Sequence, residues 1–487
     1  MKLPRWAQPR RWPGLLRGYY RLLHRPSRTD ARDLIENLAI TQPASDHVRA
    51  VIARHATRVS EVMGDPAAGR AFTTMMLNTW ETTITRRPDG GAFVITGDIP
   101  AMWLRDSTTQ LRPFVVLSAR SQEVTDCLLA VVRQQWAFIG RAPYANAFNP
   151  EPNNASWHAG DLCDNPWVWE EKYEIDSLAF PIQLAWQIWK TTGNEDALTP
   201  VREHVHMVVE LWQREQDHAR SSSYRFIRVG TGDTLGSDGR GTPVAVTGMT
   251  WSGFRPSDDP CTYGYNIPGQ LFAAHALDLV QEMCAEVWQD EALAAEASTL
   301  ASEIRDGVAA HALRPDGVLA YEVDGLGGQL FMDDANMPSL LSLPLCSSLS
   351  SQHPTYRATR RFVLSQANPH YHLGAHATGI GSPHTPPGHV WPIAIAVQGL
   401  TSTDRAKKKA LAELLLRTEA GTGLMHESFH VDDPATFTRP WFSWANAMAC
   451  ELLLDVSGVS LESMTGPWHE PDSPEPPTEG HQLEQAS

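Results

Sequence analysis

The chain has 487 residues, 42% of them hydrophobic, with 56 acidic and 40 basic side chains for a net charge of −16. That is enough apolar material for one large barrel-type core, and the acidic balance argues against nucleic acid or an anionic membrane as a main partner. Six scattered cysteines with no CxxC pair exclude a disulfide scaffold and a zinc ribbon, and they read as free thiols of a reducing compartment, the cytoplasm.

Taken in chain order, the first stretch is basic but broken by Pro4, Pro9 and Pro13, with no apolar run of secretory-signal length behind it. Residues 1–44 are therefore expected to form a partly disordered basic arm. No run approaches the roughly 18 apolar residues of a membrane span. A helix is expected near Asp46, and "GAFVITGDI" from Gly91 reads as a strand. "TGDIPAMWLRDST", residues 96–108, sets Asp98, Arg105 and Asp106 around an apolar run. It reads either as a capped helix start with Pro100 at an early position or as the floor of a pocket.

From Ser121 to Gly140 the apolar side chains recur at helical spacing between a serine cap and a glycine stop. A second such helix runs from Asp176 to Gly193, where Asp176 fits an N-cap, and others are expected to start near Val201, Pro268, Glu291, Tyr356, Val390, Asp404 and Pro440. With weaker candidates near Met102 and Met337 this makes about twelve helices, and "RFIRV" from Arg225 is the second strand signal. The pattern suits an all-α toroid of alternating inner and outer helices over residues 45–460, with few short strands in loops. The Pro- and Glu-rich segment 461–487 reads as a disordered acidic tail.

Several loops carry tryptophan where loops are normally polar: Trp103, Trp157, Trp167, Trp169, Trp251, Trp391, Trp441 and Trp444. A sugar ring has an apolar C–H face and a rim of hydroxyls, so aromatic platforms beside Asp, Glu, Arg and His suit a carbohydrate pocket. The loop Thr250–Gly269 contains Arg255 and the adjacent Asp258 and Asp259, and a carboxyl kept protonated by burial is what a general acid requires. Glu427, among polar neighbours, is a candidate to activate water. "HESFH", His426 to His430, has zinc-site spacing, but flanking glycines and "DDPATFTRP" leave no long helix to carry it. No nucleophile elbow, P-loop or dinucleotide fingerprint is present.

Five stretches together, "TGDIPAMWLRDST", "EKYEIDSL", "TWSGFRPSDD", "GIGSPHTPPGHVWP" and "HESFHVDDPATFTRPWFSWAN", resemble glycoside hydrolase family 125 over most of the chain. The resemblance implies an (α/α)6 barrel and an exo-acting, inverting, metal-independent α-1,6-mannosidase that needs no cofactor and acts on an α-mannoside oligosaccharide. It implies an acid in "RPSDD", Asp258 rather than Asp259, and a base at Glu427. Trp103, Arg105, Asp106, Asp176, His384 and Trp391 are implied to line the mannose subsite; His158, Arg255, Asp259 and Trp441 are further candidate sugar contacts. A glucoside-cleaving (α/α)6 enzyme of trehalase or glucoamylase type, a sugar-binding protein without catalysis and a zinc hydrolase are the alternatives.

Overall fold

In the computed structural model, residues 28–464 are described except 159 and 230–232. The arm up to residue 27 and the tail from 465 lie outside the described residues.

In chain order the principal helices are α1 (Arg28–Glu36), α2 (Asp46–Met63), α3 (Pro66–Thr82), α4 (Leu104–Thr109), α5 (Arg112–Ser118), α6 (Gln122–Ile139), α7 (Asp176–Thr192) and α8 (Thr199–Glu215). They continue as α9 (Ile267–Met283), α10 (Glu291–His311), α11 (Leu343–Cys346), α12 (Pro354–Val363), α13 (Pro392–Leu400), α14 (Arg405–Arg417) and α15 (Ser443–Val456). Their ends follow local chemistry. Ser121 accepts from the Val124 amide at the start of α6, and Asp404 accepts from the Ala406 and Lys407 amides at the start of α14. Gly193 closes α7 in the left-handed region, at φ 68°.

The helices pack as an (α/α)6 barrel. Among the described residues, α5, α7, α9, α11, α13 and α15 form the inner ring, and α3, α6, α8, α10, α12 and α14 lie outside it. Composition separates the layers. "PIAIAVQGL" in α13 and "SWANAMACELLLDV" in α15 are buried almost throughout, as an inner helix must be. "RAKKKALAELLLR" in α14 fully buries only Leu411, Ala412 and Leu415 and leaves Arg405, Lys407 and Arg417 to solvent. The ring closes where α15 packs on α3 and α5, fastened by a buried pair in which Arg112 Nε and Nη2 lie 2.7 and 2.8 Å from the two Glu451 oxygens.

Short antiparallel strands decorate the loops. They are β1 (Ile84–Arg86) with β2 (Ala92–Val94); β3 (Met102–Trp103), β4 (Ala147–Phe148) and β5 (Val168–Glu170); and β6 (Tyr265–Asn266), β7 (Glu322–Val323) and β8 (Gln329–Leu330). The last two groups are β9 (Tyr371–Leu373) with β10 (Thr378–Ile380), and β11 (His389–Val390), β12 (Ser428–His430) and β13 (Asp433–Thr438).

Several expectations change. "RFIRV" makes only an isolated bridge between Arg228 and Asp161. Pro100 precedes β3 rather than starting a helix, and helix begins only at Leu104. Val390 belongs to β11, so helix starts at Pro392, and α15 starts at Ser443 instead of Pro440. In each case a strand or loop contact at the barrel mouth competes with helical propensity and wins. No helix among the described residues is long and apolar enough to cross a membrane.

Candidate active site

A cavity of about 120 Å³ opens at one end of the barrel, and three of the small sheets converge on it. In the first, Trp103 pairs with Ala147 and Ala147 with Glu170, so β3, β4 and β5 set Trp103, Asn146 and Glu170 side by side. Helix α4 then begins at Leu104, and its first turn carries Arg105 and Asp106. In the second, Asn266 pairs with Glu322, whose carboxylate accepts from the Thr262 and Tyr263 amides and from Arg255 Nε. This anchors the Thr250–Gly269 loop. A turn closed by the Asp258 amide on the Arg255 carbonyl, with Asp258 at φ 66°, then presents Asp258 and Asp259 to the cavity. In the third, Val390 pairs with Phe429 and Ser428 with Thr438. Trp391 follows β11, Glu427 precedes β12 and Arg439 follows β13, so antiparallel pairing gathers all three at one end.

Charge at the floor centres on Arg105. Its Nη1 lies 2.6 Å from Glu174 and 3.3 Å from Asp176, its Nη2 lies 3.0 Å from Asp258, and its Nε lies 3.5 Å from Asp106. Burial drives the Asp106 and Asp176 carboxyls up to about 6 although Arg105 pulls the other way, and it drives Glu174 up further. Burial acts on Asp258 too, but Arg105, a hydrogen bond with Glu174, Lys172 and His384 together hold it below the ordinary carboxylate range. A second cluster lies alongside. Arg228 grips Asp161 through two bonds of 2.6 and 2.8 Å and Glu170 at 2.7 Å, while Lys172 Nζ donates to Asp233 and to the Asp258 carbonyl at 2.7 Å.

On the other wall Arg439 Nη1 lies 3.4 Å from Glu427 Oε1, and Arg439 is itself fixed by Asp98 and by Thr96 Oγ1. His384 Nδ1 donates to Asp259 Oδ1 at 3.1 Å. Burial opposes charge on this imidazole, but Asp259, Glu427 and Asp258 outweigh it and raise it to about 9, so His384 is a cation at neutral pH. The wall thus offers a carboxylate held by cations, the floor offers a carboxyl cluster in excess of its cations, and Trp103, Trp157, Trp391, Phe442 and Trp444 supply apolar faces.

Of the residues singled out in the sequence, Asp258, Glu427, Trp103, Arg105, Asp106, Asp259, His384 and Trp391 line this one cavity. Four do not. Asp176 sits behind Arg105, and it does not cap α7 through its side chain. Arg255 is spent on Glu322 and Thr262. His158 is half-buried and accepts from the Gly160 amide, and Trp441 covers Gly97. Among the loop tryptophans, Trp157 and Trp444 also reach the cavity, whereas Trp251 stacks on His218 in the interior. Lys172, Asp233, Asn336 and Arg439 at the lining were not singled out in the sequence, whereas Glu170 at the lining and Glu174 beneath it were legible only as acids just before a helix. Lys172, Glu174 and Arg439 all stood inside recognised motifs, "EKYEIDSL" and "HESFHVDDPATFTRPWFSWAN", but nothing local marked them as cavity residues. The "HESFH" stretch runs into a strand, and its histidines part. His426 donates to the Pro440 carbonyl and stacks on Phe437, while His430 accepts from the Asp432 amide. The helical geometry that a zinc reading needs is absent.

An aromatic, carboxylate-rich cavity in the mouth of an (α/α)6 barrel defines a carbohydrate-processing protein. The chain belongs to the metal-independent α-mannosidases of family GH125, whose family model matches residues 65–454, and it is accordingly a glycoside hydrolase of α-mannosidase type. It is 37% identical over 430 residues to the meiotically up-regulated gene 157 protein of Schizosaccharomyces pombe, covering 82% of this chain and 84% of that one. It is also similar to a metal-independent α-mannosidase from Streptococcus pneumoniae, solved as a non-productive complex with α-1,6-mannobiose. There the identity is 44% and the TM-score 0.81, over 84% of this chain and 99% of the other.

Proposed function

We propose that the protein removes single mannose residues from the non-reducing end of α-1,6-linked mannosides with inversion, Asp258 serving as the general acid and Glu427 as the general base. The observation that carries this reading is that Asp258 and Glu427 line one aromatic-lined cavity, each on its own arginine, Asp258 on Arg105 and Glu427 on Arg439. The mannobiose bound by the similar S. pneumoniae enzyme supports the linkage. Glu427 takes a proton from water, whose oxygen bonds to the anomeric carbon. The bond from that carbon to the leaving oxygen breaks, and the leaving oxygen receives the proton from Asp258. Inversion needs the water between base and sugar, so the carboxyls of such enzymes stand about 6.5–9.5 Å apart. Asp259, tied to His384, and the Arg105 and Asp106 pair are placed to hold hydroxyls. Location in the cytoplasm is part of the proposal and is supported by six unpaired cysteines; recovery from a secreted fraction overturns it.

The test is hydrolysis of α-1,2-, α-1,3- and α-1,6-mannobiose with the first product followed by NMR. Cleavage confined to the α-1,6 isomer, with β-mannose appearing first, is expected; early α-mannose means retention and a different pair of carboxyl roles. Glu427→Gln is expected to fold as the parent does and to lose almost all turnover, and parental activity in that variant removes Glu427 as the base.

A further inference from the structure

One guanidinium spans two carboxyls of unequal exposure. Arg105 Nη1 is 2.6 Å from Glu174 Oε2 and Nη2 is 3.0 Å from Asp258 Oδ1, so the rigid fork sets the two acids side by side. They lie within hydrogen-bond reach of each other. Asp258 lines the cavity; Glu174 is fully buried and does not. Arg105 and Ser177 Oγ both donate to Glu174 Oε2, whereas the buried Oε1 meets no donor among the described residues. A charged oxygen sealed away without a donor carries its whole desolvation cost. A protonated Oε1 that donates to Asp258 does not.

The local charge count points the same way. Asp106, Glu174, Asp176 and Asp258 all face the one Arg105. Lys172 and His384 add positive charge towards Asp258 and Arg439 towards Asp106, but Lys172 is shared with Glu170 and Asp233, His384 with Asp259, and Arg439 with Asp98 and Glu427. Acids in such excess cannot all ionise in a buried site, so one proton stays. Burial raises Glu174 strongly, and the neighbouring Asp258 charge adds to this although Arg105 opposes it.

We propose that Glu174 and Asp258 hold one proton between them on the Arg105 fork, and that this pair is the proton source for the leaving oxygen. Glu174 is then a positioning residue that never touches sugar. The proposal rests on Asp258 being the acid. In the bond-breaking step the proton passes from Glu174 to Asp258 and on to the leaving oxygen, which keeps the electron pair of the broken bond. The pair is left fully ionised and recovers a proton from solvent once the cavity empties, as Glu427 gives up the one it took from water.

The experiment compares α-1,6-mannobiose, whose leaving group needs a proton, with 2,4-dinitrophenyl α-mannoside, whose leaving group does not. Glu174→Gln keeps the shape and can still donate to Asp258 but has no proton to pass. Its kcat on mannobiose is expected to fall by about 100-fold or more with KM little changed, while the dinitrophenyl substrate is nearly unaffected. The basic limb of its kcat profile on mannobiose should move to lower pH. Equal losses on both substrates with an unmoved limb make Glu174 merely structural and overturn the proposal. Asp258→Asn separates the two readings. If it still cleaves mannobiose, the acid assignment itself has failed; if it does not while Glu174→Gln behaves as the parent, only the pair has failed. Should Glu174→Gln not fold, Ser177→Ala decides. Removing a donor to Glu174 raises the proton affinity of the pair, so the basic limb should move to higher pH, and an unmoved limb overturns the pairing.

Discussion

Asp106 shows what a buried acid does to a site of this kind. Its carboxyl is buried beside Arg105 in the first turn of α4 and is raised by burial to about 6 from an ordinary 3.8. A pKa raised in the folded state means stability that is whole below the unfolded value and lost as pH climbs through about 6. Converted at about 1.4 kcal/mol per pH unit, the ionised group costs on the order of 3 kcal/mol at neutral pH and above. Asp106→Asn should therefore melt above the parent at pH 8, with the gap closing as pH falls towards 4. Thermal melts across that range check it, and a variant that melts lower at pH 8 contradicts it. Retention of a costly charge at the cavity is what a residue placed to hold sugar hydroxyls requires. The same physics separates visible from hidden residues in the sequence. Arg105 and Asp106 stand out as charges inside an apolar run, whereas Arg439, though inside a family motif, shows its role only where it meets Glu427 and Asp98.

At the scale of elements, strands of two or three residues, with the six-residue β13 beside them, do the positioning. They are too short to be stable alone, and they persist because helices begin where they end: the short α4 after β3, and the inner helices α9 after β6 and α13 after β11. The loop before β3 shows how tightly this is tuned. Gly97 adopts φ 131°, where side chains are rarely tolerated, and a Cβ there would meet the Trp441 ring at 3.2 Å. Its neighbour Asp98 holds Arg439, which holds Glu427. Gly97→Ala is expected to cost about 1–3 kcal/mol of stability and to lower kcat more than it changes KM. Denaturant unfolding and steady-state kinetics measure both, and a variant with parental values shows that the loop yields without disturbing Asp98. Short strands of this kind leave almost no alternating pattern, so β3, β4, β11 and β12 were not legible; "GAFVITGDI" was read from its apolar, β-branched run, of which only Ala92–Val94 forms β2.

At the scale of the whole molecule, the barrel is a ring that must close. Arg112 at the start of α5 and Glu451 in α15 are 339 positions apart and buried against each other. Removing one partner strands the other in the interior. Arg112→Leu should lose about 3–5 kcal/mol of stability, and Arg112→Leu with Glu451→Leu should regain much of it, because an apolar pair of similar size needs no counter-charge. Equilibrium unfolding of the single and double variants decides, and a single variant as stable as the parent shows that packing alone closes the ring.

Sequence by itself determined the helices and many of their ends, because capping and the 3.6-residue repeat act within a few residues of each other. It also carried five family motifs, and with them the barrel and the α-mannosidase assignment that the family match bears out. Only the tertiary structure decided which charges meet. Arg105 finds Glu174, Asp176 and Asp258 at separations of 69, 71 and 153 positions. It likewise turned Asp176 from a helix cap into an ion-pair partner, and Arg255 from a sugar contact into a loop anchor. Coulomb energy and desolvation depend on distance through space and on exclusion of water, and neither is set until the ring of helices closes around the loops.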